Sequence, residues 1–252
     1  MRRAEGAFVA EGAKLLESAL DAHAAVEAVF HAPEDELPPA AAALVARARA
    51  AGVRTHPLLR GVIERVADTV SPQPLLSIVS RLDVSLEEVL HHELLLVLVD
   101  VRDPGNIGAI LRSADASGVG AVICAAGTGD VYNPKTVRAS AGSIFHVPVV
   151  QGPSPAAVLE ALGAAGISRV ATVAEGGEDY ASAELDGAVA LVLGNEANGL
   201  SEVLAAGMDR ALSVPIEGGA ESLNVAMAAT VLCFELARRR RGAASPPPSM
   251  RP

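Results

Sequence analysis

Two rhythms of apolar and polar residues alternate along the chain: short runs that are apolar throughout, and longer stretches with apolar residues three and four positions apart. The first kind predicts strands buried on both faces, and the second predicts helices laid against them. Residues 1–80 read as strand 8–10, helix 11–21, strand 26–30, helix 38–50, strand 53–55, helix 57–67 and strand 75–79, a compact α/β unit. Residues 81–93 are charged, and Ser85 ahead of Leu86-Glu87-Glu88 is a capping signal, so this stretch reads as a linker with one short helix.

From Leu94 the alternation is stricter. Strand 94–101, helix 106–117, strand 121–125, helix 134–141, strand 147–150 and helix 155–165, stopped by Gly166, follow in turn. Strands 170–173, 189–193 and 212–215 and helix 222–239 complete the pattern. Strands separated by helices imply a mostly parallel sheet. The expected fold class is therefore α/β, with a small domain over 1–80 and a larger parallel-sheet domain over 94–241. Residues 242–252, rich in Ser and Pro, are expected to form a disordered tail.

Composition narrows the classes. Half of the 252 residues are hydrophobic, enough for two modest cores. No apolar run reaches the roughly 18 residues that span a bilayer, and a signal-peptide pattern is missing at the N-terminus, so a cytoplasmic protein is expected. Cys124 and Cys233 sit in apolar segments and read as buried thiols of a reducing compartment; with no His clustered around them they make no zinc site. A net charge of −10 and 2% aromatics argue against gripping nucleic acid by bulk electrostatics or on a broad stacking platform. An RNA partner would have to meet local arginines. The run at 238–241 reads either as a phosphate contact or as cations matched to a helix C-terminus.

In an open parallel sheet, ligands gather beyond the carboxyl ends of the strands. Three loops at such ends combine glycines with carboxamides, hydroxyls or carboxylates. They hold Asp103-Pro104-Gly105-Asn106-Ile107-Gly108 with Arg112 beyond, Gly194-Asn195-Glu196-Ala197-Asn198-Gly199, and Ile216 to Ser222-Leu223-Asn224. One such loop is an ordinary turn; three in one half of the chain point to a ligand. The standard nucleotide fingerprints fail: neither Gly118-Val119-Gly120 nor Gly127-Thr128-Gly129 has its third glycine, and neither Lys14 nor Lys135 follows a glycine. No Gly-x-Ser-x-Gly elbow is present.

These three loops resemble the three motifs of the SpoU-type RNA 2′-O-ribose methyltransferases of the trefoil-knot superfamily, in order and spacing over residues 94–239. Arg138-Ala139-Ser140-Ala141-Gly142 and Phe145-His146-Val147-Pro148 are similar to the segment between them. Ala197 departs from the pattern, standing where most relatives have glycine. The first 80 residues resemble, more loosely, a ribosomal-protein-like RNA-binding domain, through Phe8-Val9-Ala10-Glu11-Gly12 and the element order.

The resemblance implies a C-terminal deep trefoil knot, S-adenosyl-L-methionine as cofactor, ribosomal RNA as substrate and a homodimer. It implies catalytic roles for Arg112, Asn106, Glu196, Ser222 and Asn224, with cofactor contacts at Gly194, Val214, Ile216, Leu223 and Thr172. Lys135 and Arg138, beside the expected site, and Arg47, Arg49, Arg54 and Arg60 in the first domain are the candidates for RNA contact. A guanidinium holds its proton firmly, so Arg112 is expected to stabilise a forming alkoxide rather than act as a base. A non-catalytic ribosome-assembly factor of the same fold, a transfer-RNA ribose methyltransferase, and a methyltransferase for a small molecule or protein remain the alternatives.

Overall fold

The protein is described from a computed structural model at residues 6–66 and 72–244. The first 84 residues build a four-stranded sheet from β1 (Ala7–Glu11), β2 (Val26–His31), β3 (Arg54–Pro57) and β4 (Leu75–Ser80), in the order β1-β4-β2-β3. Strand β4 runs antiparallel to β1 and β2, whereas β2 and β3 are parallel. Helices α1 (Ala13–Asp21) and α2 (Pro39–Ala50) bury Leu16, Leu20, Ala41, Val45 and Ala48 against Val29 and Leu75. The helix expected over 57–67 is present as α3 (Ile63–Val66), and Ala67 lies outside the described residues. Its start is late because Pro57 closes β3, Leu58 N–H donates to His31 O at 2.8 Å, and Gly61 has φ +76, a left-handed turn that no helix continues.

The remaining elements are α4 (Leu86–Val89), β5 (Leu94–Leu98), α5 (Pro104–Ser117), β6 (Ala121–Cys124), α6 (Pro134–Ala139), β7 (Val149–Gln151), α7 (Pro155–Ala164) and β8 (Ser168–Thr172). After them come β9 (Glu178–Asp179), β10 (Val189–Leu193), α8 (Glu202–Ala205), β11 (Arg210–Ser213) and α9 (Val225–Ala244). Seven strands form one sheet in the order β7-β6-β5-β10-β8-β11-β9, and the pairings from β6 through β9 are parallel. Every residue of β5, β6 and β10 is buried, which is why they read as unbroken apolar runs. Ser85 makes the expected capping box with Glu88. Helix α9 runs to Ala244, so the start of the tail expected at 242–252 is helical; residues 245–252 lie outside the described residues. No described helix is long and apolar enough to cross a membrane.

Packing groups the chain into two units, each discontinuous in sequence. Asp103–Arg112 and Gly129–Val149 belong with the first 84 residues. Phe8 of β1 is the reason for much of this: its ring stacks on Tyr132 at 4.6 Å between centroids and lies 6.1 Å from Phe145. Tyr132 donates its hydroxyl to Asp83 Oδ1 at 3.0 Å and accepts from Leu82 N–H at 2.8 Å; burial pushes its pKa up. Arg138 pairs at 3.3 Å with Glu11, a carboxylate whose side chain is only 5% exposed.

The second unit contains Ser85–Arg102, Ser113–Thr128 and everything from Val150. Its terminal arginines work inside the protein. Arg238 and Arg239 both donate to the Glu235 carboxylate at 2.7–2.8 Å. Arg239 also donates to the carbonyls of Tyr180, Ala181 and Ala183, and Arg240 donates to that of Glu93. The phosphate-contact reading of the run therefore gives way, for these three residues, to internal bonding. The Arg238 and Arg239 guanidiniums pull Glu235 from 4.5 down to about 2. A carboxylate with a depressed folded pKa adds stability that is full above the unfolded value and is lost as pH falls through the folded one. Thermal melts of the parent and Glu235→Gln are expected to differ by a constant gap at neutral pH that closes between pH 4.5 and about 2. A gap that ignores acid would show that the pairing contributes nothing.

Candidate functional site

In the second unit, the carboxyl ends of the neighbouring strands β10, β8 and β11 surround a cavity of about 220 Å³. Its walls include Thr172, Gly194, Asn195, Glu196, Leu212, Val214, Ile216, Ser222, Leu223 and Leu232. Seven of the residues singled out from the sequence thus meet in one place: Thr172, Gly194, Glu196, Val214, Ile216, Ser222 and Leu223.

The turn after β10 is the tightest part. A Cβ on Gly194 would lie 2.6 Å from Leu200 N and nearer still to the Gly199 carbonyl, all immovable backbone. Asn195 and Gly199 exchange backbone hydrogen bonds at 3.0 and 2.9 Å, with Gly199 at φ +63. The Asn195 side chain locks this turn from within. Its Oδ1 accepts from Ala197 N–H at 3.0 Å and Asn198 N–H at 3.1 Å, and its Nδ2 donates to Asp100 O at 2.9 Å and Asp100 Oδ2 at 3.2 Å. Asp100, at the end of the β5 strand, sits at φ +57, a conformation a non-glycine residue adopts only where its surroundings hold it. Arg102 donates to Asp100 Oδ1 at 2.7 Å, which raises the guanidinium pKa, and Arg102 N–H reaches Glu196 Oε2 at 3.4 Å. Two loops nearly a hundred residues apart are stitched together. The sequence reading placed Asp100 and Asn195 at strand ends but gave them no role; the available signal was an Asn directly after Gly194, with Gly199 four positions beyond that Asn, the pattern of a self-bonded Asx turn.

The third loop supplies apolar wall through Val214 and Ile216 and ends at Asn224. Asn224 Oδ1 accepts from Ala226 N–H at 2.9 Å and Met227 N–H at 3.4 Å, so this residue caps α9, which accounts for the helix starting at Val225 rather than 222. Thr172 donates its hydroxyl to Val192 O at 3.3 Å.

Asn106 and Arg112 lie in the first unit, on α5. Asp103 caps this helix, accepting from Asn106 N–H at 2.9 Å, and that bond, with Lys135 at 3.5 Å, lowers the Asp103 pKa. Gly108 lets α5 approach α6, since a Cβ there would meet Thr136 O at 2.7 Å. Arg112 is exposed and has no hydrogen-bond or ion-pair partner among the described residues. All but one of the cations chosen for RNA contact are in the opposite condition. Lys135 pairs with Asp103, Arg138 with Glu11, Arg47 with Asp21 at 2.7 Å, Arg49 with Glu34 at 3.5 Å and Arg60 with Asp35 and Glu36 at 2.6 Å, whereas Arg54 has no partner among the described residues. No group of three or more His, Cys, Asp or Glu among the described residues could hold a metal ion.

A parallel α/β sheet with a small-molecule cavity built from loops beyond its strands defines the class. The chain belongs to the SpoU rRNA Methylase family, whose model matches residues 93–234, while residues 1–77 match an MRM3-like substrate binding domain. It is 35% identical over 230 residues, 91% of this chain and 88% of the relative, to the 23S rRNA (guanosine(2553)-2′-O)-methyltransferase RlmP of Bacillus subtilis. It is 34% identical to the 23S rRNA (uridine(2479)-2′-O)-methyltransferase of Streptomyces viridochromogenes, over 95% of this chain and 85% of that one. Among solved structures, the SpoU methyltransferase AviRb of S. viridochromogenes in complex with AdoMet superposes with a TM-score of 0.83 at 31% identity, covering 95% of this chain and 92% of the other.

Removing the Asn195 carboxamide would strand two backbone N–H groups and free Asp100. Asn195→Ala is expected to lower stability by about 1–3 kcal/mol in urea unfolding. A loss of only a few tenths would mean that the Asn195–Gly199 backbone bonds hold the turn alone.

Proposed function

We propose that this protein transfers a methyl group from S-adenosylmethionine to a ribose 2′-hydroxyl of ribosomal RNA, with 23S RNA as its substrate. The observation that carries the reading is the cavity, which unites loops 194–200 and 214–223 in a family of RNA methylases. The cavity suits the donor: Leu212, Val214, Ile216 and Leu232 offer apolar wall for a nucleobase, and the bare backbone at Gly194 admits close approach by a polar ligand. When bound, the donor supplies an electrophilic methyl on a sulfonium. Gly194, Val214, Ile216, Leu223 and Thr172 would hold it.

The chain's own task is to place the ribose oxygen and ease loss of its proton. We assign Arg112 to that oxygen. Its charge favours the forming alkoxide, and its exposed guanidinium is spent on no carboxylate among the described residues. Asn106, Ser222 and Asn224 orient the ribose, and Glu196 acts by fixing the loop through Arg102 N–H. In this reading residues 1–80 bind RNA, 81–93 link, and 94–241 form the knotted methyltransferase domain. The setting is the cytoplasm, which agrees with free, buried Cys124 and Cys233.

A homodimer completes the reading. Met227 and Phe234 lie two turns apart on one face of α9, 61% and 43% exposed. Apolar side chains aligned this way fit a second copy of the chain. Sedimentation of Met227→Glu with Phe234→Glu is expected to show a monomer where the parent is a dimer; a monomeric parent would remove this part of the reading.

The decisive assay is labelled methyl transfer to ribosomal RNA followed by nucleoside mass spectrometry, with 2′-O-methylated product expected. Arg112→Ala is expected to lower kcat roughly 100-fold or more while S-adenosylmethionine affinity is kept. Methylation on a base, or full turnover by the variant, would overturn the assignment.

A further inference from the structure

We propose that the open edge of the four-stranded sheet, at Phe30, His56 and Arg54, binds an unpaired base of the RNA substrate by extending an existing ring stack. The proposal rests on the reading that RNA is the substrate and adds where unpaired RNA is held.

Strands β2 and β3 pair in parallel with Phe30 opposite His56 and Ala28 opposite Arg54. Alternation along a strand puts Arg54 and His56 on one face, away from the core face that carries Val29 and Leu75. The Phe30 and His56 rings are already stacked, 5.2 Å between centroids at 25°. Phe30 is half-buried, whereas His56 is exposed. Because β3 is the last strand of its sheet, no further strand among the described residues stands beyond the outer side of the His56 ring. That side is a place for a third flat ring.

A second protein strand is a poor occupant of this edge. Strand β3 is only four residues long and ends in Pro57, which has no N–H to donate to an added strand. The chemistry beside the stack is cationic. Arg54, one side-chain repeat from His56, is exposed and without a hydrogen-bond or ion-pair partner among the described residues, whereas Arg47, Arg49 and Arg60 are all held by carboxylates. A flat π surface with an unspent guanidinium next to it is what a base and its phosphate require. Overall charge does not oppose this placement strongly. Residues 1–84 hold nine Lys and Arg against eleven Asp and Glu, so only two of the ten excess negative charges lie in this part of the chain.

The chain contains no tryptophan, so His56→Trp introduces a single fluorescent ring at the proposed stacking position. A mixed-sequence, unstructured 12-nucleotide RNA titrated into this full-length variant is expected to quench the emission saturably. The same RNA annealed to its complement is expected to quench far less. In anisotropy titrations, His56→Ala should weaken binding of the single strand about ten-fold, His56→Phe should retain it, and Arg54→Gln should weaken it and reduce the salt slope by about one. Unchanged emission at saturating RNA, or parent-like affinity in both His56→Ala and Arg54→Gln, overturns the proposal. Melting curves and S-adenosylmethionine affinity verify the fold of each variant. Methylation by the parent without any effect at His56 or Arg54 removes the stacking site alone. Quenching without methyl transfer by the parent removes the catalytic reading alone.

Discussion

At Gly194 the backbone runs so close to Gly199 and Leu200 that no side chain fits between them, and this contact forms one wall of the cavity. The approach brings residues 195–199 back on themselves, which points the Asn195 carboxamide at Asp100 and the Glu196 carboxylate at Arg102 N–H. Asp100 is then held at φ +57 by bonds to Asn195 and Arg102, so the strain at one strand end is balanced by hydrogen bonds from another. β5 and β10 lie side by side in the sheet, which makes the stitch geometrically short despite its length in sequence. The backbone that lines the cavity is thereby held by the chain's own hydrogen bonds, and a preformed site loses less entropy on binding.

The arginines divide by what they are bonded to. Arg238, Arg239 and Arg240 serve the fold: two pin Glu235, Arg239 also gathers three carbonyls of the 180–183 turn, and Arg240 holds Glu93. Arg169 grips Asp209 with two hydrogen bonds at 2.6 and 2.9 Å from its guanidinium, joining β8 to the segment before β11. Exposed pairs of this kind contribute little individually, and their effect here is registration of loops rather than bulk stability. Arg54, Arg65 and Arg112 stand apart because each is exposed without such a partner among the described residues. In an acidic protein a cation left unpaired is costly in neither burial nor strain, but it is available.

Much of this was readable from residue order, for definite reasons. β5 and β10 are buried along their whole length, so Leu94-Leu95-Leu96-Val97-Leu98 and Val189-Ala190-Leu191-Val192-Leu193 could hardly be anything but central strands. The three loops were recognisable because glycine, Asn and Ser were required at fixed spacings by tight turns and caps. What stayed hidden was pairing at a distance. Nothing local says that β10 inserts between β5 and β8, that Arg138 meets Glu11 across 127 positions, or that Asn195 bonds Asp100. The helix expected from Pro57 starts only at Ile63 for a related reason: its apolar spacing was real, but Leu58 is claimed by His31 O and Gly61 turns left-handed.

The same blindness to register is why 2% aromatics, which argue against a broad stacking platform, say nothing of a single stacking position. Counting rings measures how broad a platform can be, whereas binding one base needs only one ring, held still, with an open side. Phe30 and His56 are 26 positions apart, and only the parallel register of β2 and β3 makes them neighbours. A stacked partner fixes the histidine ring in place, so less side-chain entropy remains to be lost when a third ring joins. Sparse aromatic content thus limits the number of bases that can be read, and leaves untouched the strength with which any one of them can be held.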